Sequence, residues 1–164
     1  MNVTYLCLGG NIGDREKALN HAIQKISEQV GVIVAKSTIY ETEAWGVESQ
    51  QAYLNQCIKV KTDLKATELI DVLLLIEKEL GRERTINHIY EPRTIDIDIL
   101  FYNNDIINES KLLVPHPRLH LRKFVLIPLE EIASNYLHPL LNKTIFNLLS
   151  ECEDISDVKL FKTQ

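Results

Sequence analysis

The sequence contains few of the residues that mark exported or membrane-bound proteins. Among 164 residues there are three cysteines, six glycines and five prolines. Three widely separated cysteines argue against a disulfide framework or a zinc site and favour reduced thiols. No apolar run reaches the roughly 18 residues of a membrane span, and the first residues lack the basic start of a signal peptide. We therefore expect a cytoplasmic protein with no membrane partner.

Basic residues are outnumbered, with 18 Lys and Arg against 23 Asp and Glu and a net charge of −5. Such a chain repels nucleic acid on average, so no nucleic-acid partner is expected. Five of the six arginines nevertheless fall within one quarter of the chain: Arg82, Arg84, Arg93, Arg118 and Arg122. Guanidinium groups pair with phosphate oxygens in a fixed planar geometry. The cluster therefore indicates a phosphate-bearing ligand.

A glycine-rich phosphate loop is missing. The pattern G-x-x-x-x-G-K-[ST] does not occur, and the stretch LGGNIGD has neither its lysine nor the glycine spacing of a dinucleotide site. Any nucleotide must therefore be held by side chains and metal.

The apolar pattern predicts a single domain over residues 1–164. Strand-like runs occupy residues 3–8, 32–43, 53–64 and 93–102, and helical spacing occupies 15–30 and 67–81. This order predicts an α+β fold with a ferredoxin-like βαββαβ core, in which a mostly antiparallel sheet packs against helices. Two further helices, within 122–133 and 143–151, form a predicted C-terminal helical extension.

The stretch RTIDIDILFY places two carboxylates in a strand. Period-two alternation puts Asp96 and Asp98 on one face, roughly 6 to 7 Å apart, and the isoleucines 95, 97 and 99 on the other. Such a pair can hold Mg²⁺, including two ions that clamp a polyphosphate, or it can be the solvated face of an amphipathic strand. The pair alone leaves both interpretations open, and the neighbouring arginines favour the metal.

Aromatic and imidazole side chains add candidate contacts. Tyr53 and Phe124 are either core residues or the two faces of a slot for a flat heterocycle, whose edge Asn55 would bind. His116 lies between two prolines in a cationic segment, which favours a phosphate or base contact over a zinc ligand.

Five stretches together resemble the 6-hydroxymethyl-7,8-dihydropterin pyrophosphokinase family: LGGNIGD, YET, YLNQ, GRERTINHIYEPRTIDIDILFY and VPHPRLHLRKFVLIPL. The resemblance runs from Val3 to about Ala133. It implies transfer of a pyrophosphoryl group from ATP, as co-substrate, to the pterin hydroxymethyl oxygen in folate biosynthesis, with release of AMP. It also implies two Mg²⁺ ions held by Asp96 and Asp98.

The resemblance assigns further residues by position. Arg82 and Arg93 match phosphate contacts and, with the two aspartates, form the expected catalytic set. The expected nucleotide-side residues are Glu77, Arg84, Ile99, His116 and Arg122. The expected pterin-side residues are Thr42, Trp45, Tyr53, Asn55, Tyr90 and Phe124.

The chain departs from the family pattern at Tyr90 and Glu91, where the family usually has W-G before P-R. Glu91 adds a carboxylate beside the expected phosphate site. The expected partners are small molecules only, with a monomer or weak homodimer. Two alternatives are a ferredoxin-like metabolite-binding regulatory module without catalysis and a two-metal enzyme of nucleic-acid processing, which the acidic charge disfavours.

Overall fold

The computed structural model describes residues 1–43, 51–81 and 94–162. Its strands are β1 (Asn2–Gly10), β2 (Gly31–Lys36), β3 (Tyr40–Thr42), β4 (Tyr53–Thr62), β5 (Asp96–Tyr102), β6 (Ile107–Glu109), β7 (Leu112–Val114) and β8 (Val158–Leu160). Its helices are α1 (Arg15–Gln29), α2 (Ala66–Leu80), α3 (Lys123–Ala133) and α4 (Ile145–Glu151), with one 3₁₀ turn at Leu119–Leu121. The expected mixture of helices with a sheet is confirmed.

The main sheet that the described residues form is antiparallel throughout. Its strand order is β5-β1-β4-β3-β8, and β2 also pairs with β4. A separate two-stranded hairpin joins β6 to β7. Residues 32–43, which were predicted as one strand, form the two strands β2 and β3, and Ser37 lies in the segment between them. The Ser37 backbone N–H donates to the Cys57 carbonyl, and the Ser37 hydroxyl accepts the Cys57 N–H at 3.0 Å.

Alternation along β1 separates two hydrophobic cores. Leu6 and Leu8 face the layer of α1 and α2, whereas Tyr5 and Cys7 face the layer of α3 and α4. Helices therefore cover both faces of the sheet. The face under α3 also carries the functional site described below.

Helix α1 begins at a side-chain cap, and helix α2 ends at a glycine. The Asp14 side chain accepts the Lys17 N–H at 3.1 Å and caps α1, and α2 ends at Gly81. In α3, Pro128 lies inside the helix. Because proline has no N–H, the carbonyl of Phe124 lacks its usual helical donor.

The C-terminal part holds one element that the sequence analysis did not predict. After α4, the chain forms β8, which pairs with β3 and adds a strand to the sheet. The C-terminal extension is therefore not purely helical. None of the described helices is both long and apolar enough to cross a membrane.

Core packing on the α2 side predicts a large cost for truncation there. Leu73 is fully buried, so Leu73→Ala should lower the free energy of unfolding by about 2 to 5 kcal/mol. Leu75, on the same helix, is 50% exposed, and Leu75→Ala should change it by less than about 1 kcal/mol. Urea denaturation followed by circular dichroism measures both. Equal losses in the two variants would contradict this assignment of the core.

Candidate active site

A pocket of about 390 Å³ lies between the sheet and the start of α3. This volume is within the range of small-molecule sites. Seven residues expected from the sequence line it: Thr42, Tyr53, Asn55, Asp96, Asp98, Arg122 and Phe124. The pocket thus brings the expected acidic pair and the expected ring-binding residues into one space.

Gly9 lies at the centre of the pocket floor. In the ladders of β1, it pairs with Asn55 of β4 on one side and with Asp96 of β5 on the other. A Cβ atom built on Gly9 would overlap the Asn55 side-chain oxygen. Glycine is therefore required at this position for the Asn55 amide to lie across the floor.

The acidic pair has the orientation that alternation predicts. Ile97 and Ile99 are each only 4% exposed and pack in the core with α1 and α2. Asp96 and Asp98 line the pocket on the other face, and Asp98 pairs across the ladder with Cys7. The isoleucines therefore hold β5 in place while the carboxylates face the pocket.

The donor set of this pair fits Mg²⁺ bound together with a polyphosphate. Carboxylate oxygens are ligands that Mg²⁺ accepts, and the ion usually keeps its remaining positions for substrate phosphates and water. Among residues 1–43, 51–81 and 94–162, no cluster of three or more His, Cys, Asp and Glu side chains is suited to a metal ion. A pair of aspartates facing the pocket matches that mode of binding.

Thr42 presents a buried hydroxyl to the pocket. The residue is 6% exposed, and its Oγ1 has no hydrogen-bond partner within the described part of the chain. A buried polar atom without a partner costs free energy. Such an atom in a pocket wall indicates a place where a ligand supplies the missing hydrogen bond.

Two aromatic side chains line the same pocket from different elements. Tyr53 begins β4 and is 41% exposed, and Phe124 lies in the first turn of α3. The Arg122 guanidinium carbon lies 5.8 Å from the centroid of the Phe124 ring. The start of α3 therefore contributes both an aromatic face and a cation.

Helix α3 is tied to the sheet at its far end by Glu131. Its carboxylate accepts hydrogen bonds from the Thr38 hydroxyl at 2.6 Å and the Tyr40 hydroxyl at 2.7 Å. Burial by itself would raise the pKa of Glu131, but these hydrogen bonds lower it below its ordinary value. Burial, together with Glu131, raises the pKa of Tyr40 to about 12. The contact fixes α3 against β3, which carries Thr42.

His116 is held at the side of the acidic pair. Its backbone N–H donates to the Leu100 carbonyl at 3.0 Å, and its Nδ1 accepts the Arg118 N–H at 3.1 Å. Burial lowers its pKa, Asp98 raises it, and Arg122 and Arg118 lower it further, with a net decrease. A neutral ring that accepts at Nδ1 carries its proton on Nε2, which makes Nε2 a donor.

Two of the expected nucleotide-side residues, Ile99 and Glu77, are buried. The Ile99 side chain lies in the core opposite the pocket, and a contact of this residue with nucleotide stays a prediction. Glu77 is 6% exposed, and its Oε2 accepts the Ile97 N–H at 2.6 Å. Glu77 therefore joins α2 to the outer edge of β5, and its contact with nucleotide stays a prediction.

Five predicted site residues lie outside the described residues: Trp45, Arg82, Arg84, Tyr90 and Arg93. The same holds for Glu91. Their roles stay predictions.

The sequence analysis missed five residues that line the pocket: Cys7, Gly9, Glu43, Val125 and Ser156. Alternation along β1 gave a usable signal for Cys7 and Gly9, since both lie on the face opposite Leu6 and Leu8. Ser156 had no local signal, because its position depends on pairing between β8 and β3.

The chain is similar to known proteins over most of its length. The family model of 7,8-dihydro-6-hydroxymethylpterin-pyrophosphokinase (HPPK) matches residues 5–134. A 2-amino-4-hydroxy-6-hydroxymethyldihydropteridine pyrophosphokinase of Bacillus subtilis (strain 168) is 46% identical over 133 residues, which are 80% of this chain and 78% of that protein. The protein of the same name from Aquifex aeolicus (strain VF5) is 43% identical, covering 88% of this chain and 89% of the other.

The fold is also found in solved structures. A crystal structure of a Plasmodium falciparum HPPK-DHPS variant superposes with a TM-score of 0.76 at 18% identity and covers 91% of this chain. This chain spans 45% of that longer chain. At this identity the likeness concerns the fold.

The Thr42 hydroxyl, which has no partner among the residues that the structure describes, predicts a gain in stability on its removal. Thr42→Val removes the buried oxygen and keeps the shape, so the free energy of unfolding should rise by about 1 kcal/mol. Thr62 is the matched control, because its buried Oγ1 donates to the Val30 carbonyl at 2.7 Å and accepts the Leu64 N–H at 3.1 Å. Thr62→Val should lower stability by about 1 to 3 kcal/mol. Urea denaturation distinguishes the two, and a loss in Thr42→Val would show that its hydroxyl is satisfied.

Proposed function

The chain belongs to the 7,8-dihydro-6-hydroxymethylpterin-pyrophosphokinase family, and we propose that the pocket under α3 is where it carries out this family's reaction. The enzyme transfers the pyrophosphoryl group of ATP to the hydroxymethyl oxygen of 6-hydroxymethyl-7,8-dihydropterin, in folate biosynthesis. AMP is the other product, because attack occurs at the β-phosphorus.

One observation carries the assignment of this reaction to the pocket. Gly9 of β1 pairs with Asn55 of β4 on one side and with Asp96 of β5 on the other. The proposed ring-binding amide and the proposed metal-binding carboxylate therefore lie on the two strands that flank β1. Neighbouring strands are about 4.8 Å apart, which separates the two side chains by about 10 Å. This distance suits a substrate whose ring lies at one end and whose reacting oxygen meets a polyphosphate at the other.

The pterin ring occupies the half of the pocket beside β3 and β4. Tyr53 and Phe124 cover its two faces, since aromatic side chains stack on flat heterocycles. The Asn55 amide and the Thr42 hydroxyl bind its polar edge, where they offer both donors and acceptors. The lack of a partner for Thr42 Oγ1 within residues 1–43, 51–81 and 94–162 supports this placement.

The triphosphate lies over the acidic pair. Asp96 and Asp98 would hold two Mg²⁺ ions, which neutralise charge on the phosphate oxygens when bound. Arg122 lines the pocket at this side, and the Nε2 proton of His116 is directed by its Nδ1 contact with Arg118. Arg82, Arg84 and Arg93, outside the described residues, are the predicted phosphate contacts.

The residues present suit a reaction that depends on positioning and charge. Phosphoryl transfer needs the attacking oxygen in line with the leaving group and needs the developing charge stabilised. The walls orient the hydroxymethyl group, and the cationic side chains face the phosphates. A ferredoxin-like regulatory module would use the aromatic walls equally well, but it would have no use for the acidic pair.

Several finer features complete the proposal. The sheet order β5-β1-β4 with β2 beside β4, and α1 and α2 on one face, supports a ferredoxin-like core within a single domain of residues 1–164. A monomer or weak homodimer as the active form stays a prediction. The cytoplasmic location and the absence of a nucleic-acid partner stay predictions.

The acidic pair gives the first test. Asp96→Asn and Asp98→Asn should each lower kcat for AMP formation by about a hundredfold or more, because each removes a charge that holds metal against phosphate. The assay follows AMP with ATP, Mg²⁺ and the pterin, and omission of either the pterin or Mg²⁺ should abolish turnover. Asp63→Asn is the control, since Asp63 is exposed after β4, at the opposite end of that strand from the pocket. Near-normal rates in either site variant would refute the metal assignment.

Thr42 gives a test of the ring-binding half. Thr42→Val should raise KM for the pterin about five- to tenfold, the cost of one lost hydrogen bond, and leave KM for ATP within about twofold. Steady-state kinetics with each substrate varied in turn measures both constants. An unchanged KM for the pterin would exclude Thr42 as a ligand contact.

A further inference from the structure

The last part of the chain lies beyond the region that the family model matches, yet it reaches the pocket. The match ends at residue 134. Residues 152–162, called here the C-terminal segment, contain β8, which pairs with β3, and Ser156, which lines the pocket. Within this segment, even-numbered residues from 152 to 158 are less exposed than their odd-numbered neighbours. One face of the segment therefore packs against the site.

Asp154 connects this segment to α3. Its Oδ2 accepts the backbone N–H of Lys123 at 2.9 Å, and its Oδ1 accepts the N–H and the hydroxyl of Ser156 at 2.9 and 2.6 Å. Burial by itself would raise the pKa of Asp154, but these hydrogen bonds lower it below its ordinary value. The ionised carboxylate thus binds the first residue of α3 and a residue of the pocket wall together.

The first turn of α3 needs this contact because its own sequence supplies little to hold it. Its N-cap residue, Arg122, makes no side-chain capping hydrogen bond. Pro128 supplies no N–H to the carbonyl of Phe124, so this turn also lacks a normal helical bond. A carboxylate at the first N–H groups of a helix satisfies a donor and complements the helix dipole. Asp154 acts as a remote cap for the turn that carries Phe124.

We propose that Asp154 is a positioning residue for the pterin: it fixes the first turn of α3, and thereby Phe124, and it places Ser156 in the pocket wall. This inference rests on the proposed function, since Phe124 is taken as one face of the ring slot. Glu131 holds the far end of α3, whereas Asp154 holds the near end. The C-terminal segment is then part of the active site.

The test compares Asp154→Ala with Glu153→Ala. Glu153 is exposed and adjacent, so its variant removes the same kind of charge from the same segment. Asp154→Ala should raise KM for the pterin about fivefold, because the loss of one helix cap shifts the equilibrium between the ordered and the open first turn by about that factor. kcat at saturation and KM for ATP should change less. Glu153→Ala should match the unaltered protein. Asp154→Asn keeps one acceptor oxygen, which can serve the Lys123 N–H or the Ser156 N–H but not both, and should recover part of the loss.

Hydrogen exchange separates this effect from general loss of structure. In Asp154→Ala, the amides of Lys123 and Leu126, which donate to Asp154 and to the Arg122 carbonyl, should exchange faster, while those of β1 keep their protection. If the unaltered enzyme is active, an unchanged KM for the pterin in Asp154→Ala, or unchanged exchange at these two amides, would overturn the inference. Absence of turnover in the unaltered protein would overturn the proposed function and this inference with it.

A second variant tests whether Asp154 acts through the Lys123 N–H. Lys123→Pro removes the N–H that Asp154 binds and fixes a helical φ at the first position. The backbone at Arg122, with φ −118° and ψ 106°, is compatible with a following proline. In the Lys123→Pro background, Asp154→Ala should raise KM for the pterin less than it does alone. Equal effects in both backgrounds would show that Asp154 acts through something other than this cap.

Discussion

The close approach of three antiparallel strands at Gly9 is the constraint on which the rest of the site depends. Because β1 lies between β4 and β5, one residue has Asn55 as its neighbour on one side and Asp96 on the other. A side chain at this point would collide with Asn55. The hydrogen-bonded ladders set the spacing between Asn55 and Asp96, the proposed ring-binding and metal-binding residues. The sheet therefore fixes how far apart the two halves of the proposed site lie.

Strand β5 serves the core and the site at once. A shift of one residue in its pairing would bury the two aspartates and expose the isoleucines, so the register with β1 is strongly specified. The register changes once, between Tyr5 and Leu6, where Leu100 is the extra residue. Beyond this bulge, Phe101 turns toward the layer of α3 and packs edge-on against Tyr5. The bulge thus lets one strand present carboxylates to the pocket and an aromatic ring to the core beneath α3.

The parts of this molecule that were predictable from sequence are those that local periodicity determines. Alternation in β5 oriented the acidic pair, and helical spacing located α1 and α2. Alternation also placed Asn55 on the same strand face as Tyr53. Resemblance to a family supplied Thr42, for which periodicity gives no reason. Features made by distant pairing, such as β8 and the contact of Glu77 with Ile97, left no local pattern to read.

The remote cap on α3 changes how the pocket walls depend on one another. A local cap would let the first turn of α3 form on its own, but here its hydrogen bond comes from a residue 31 positions away. The same segment pairs with β3 through β8, and β3 is tied to the far end of α3 through Glu131. The wall with Thr42, the wall with Phe124 and the C-terminal segment therefore brace each other in a closed ring of contacts. Weakening any one of them should be felt in the other two, because packed elements that share hydrogen bonds do not relax independently.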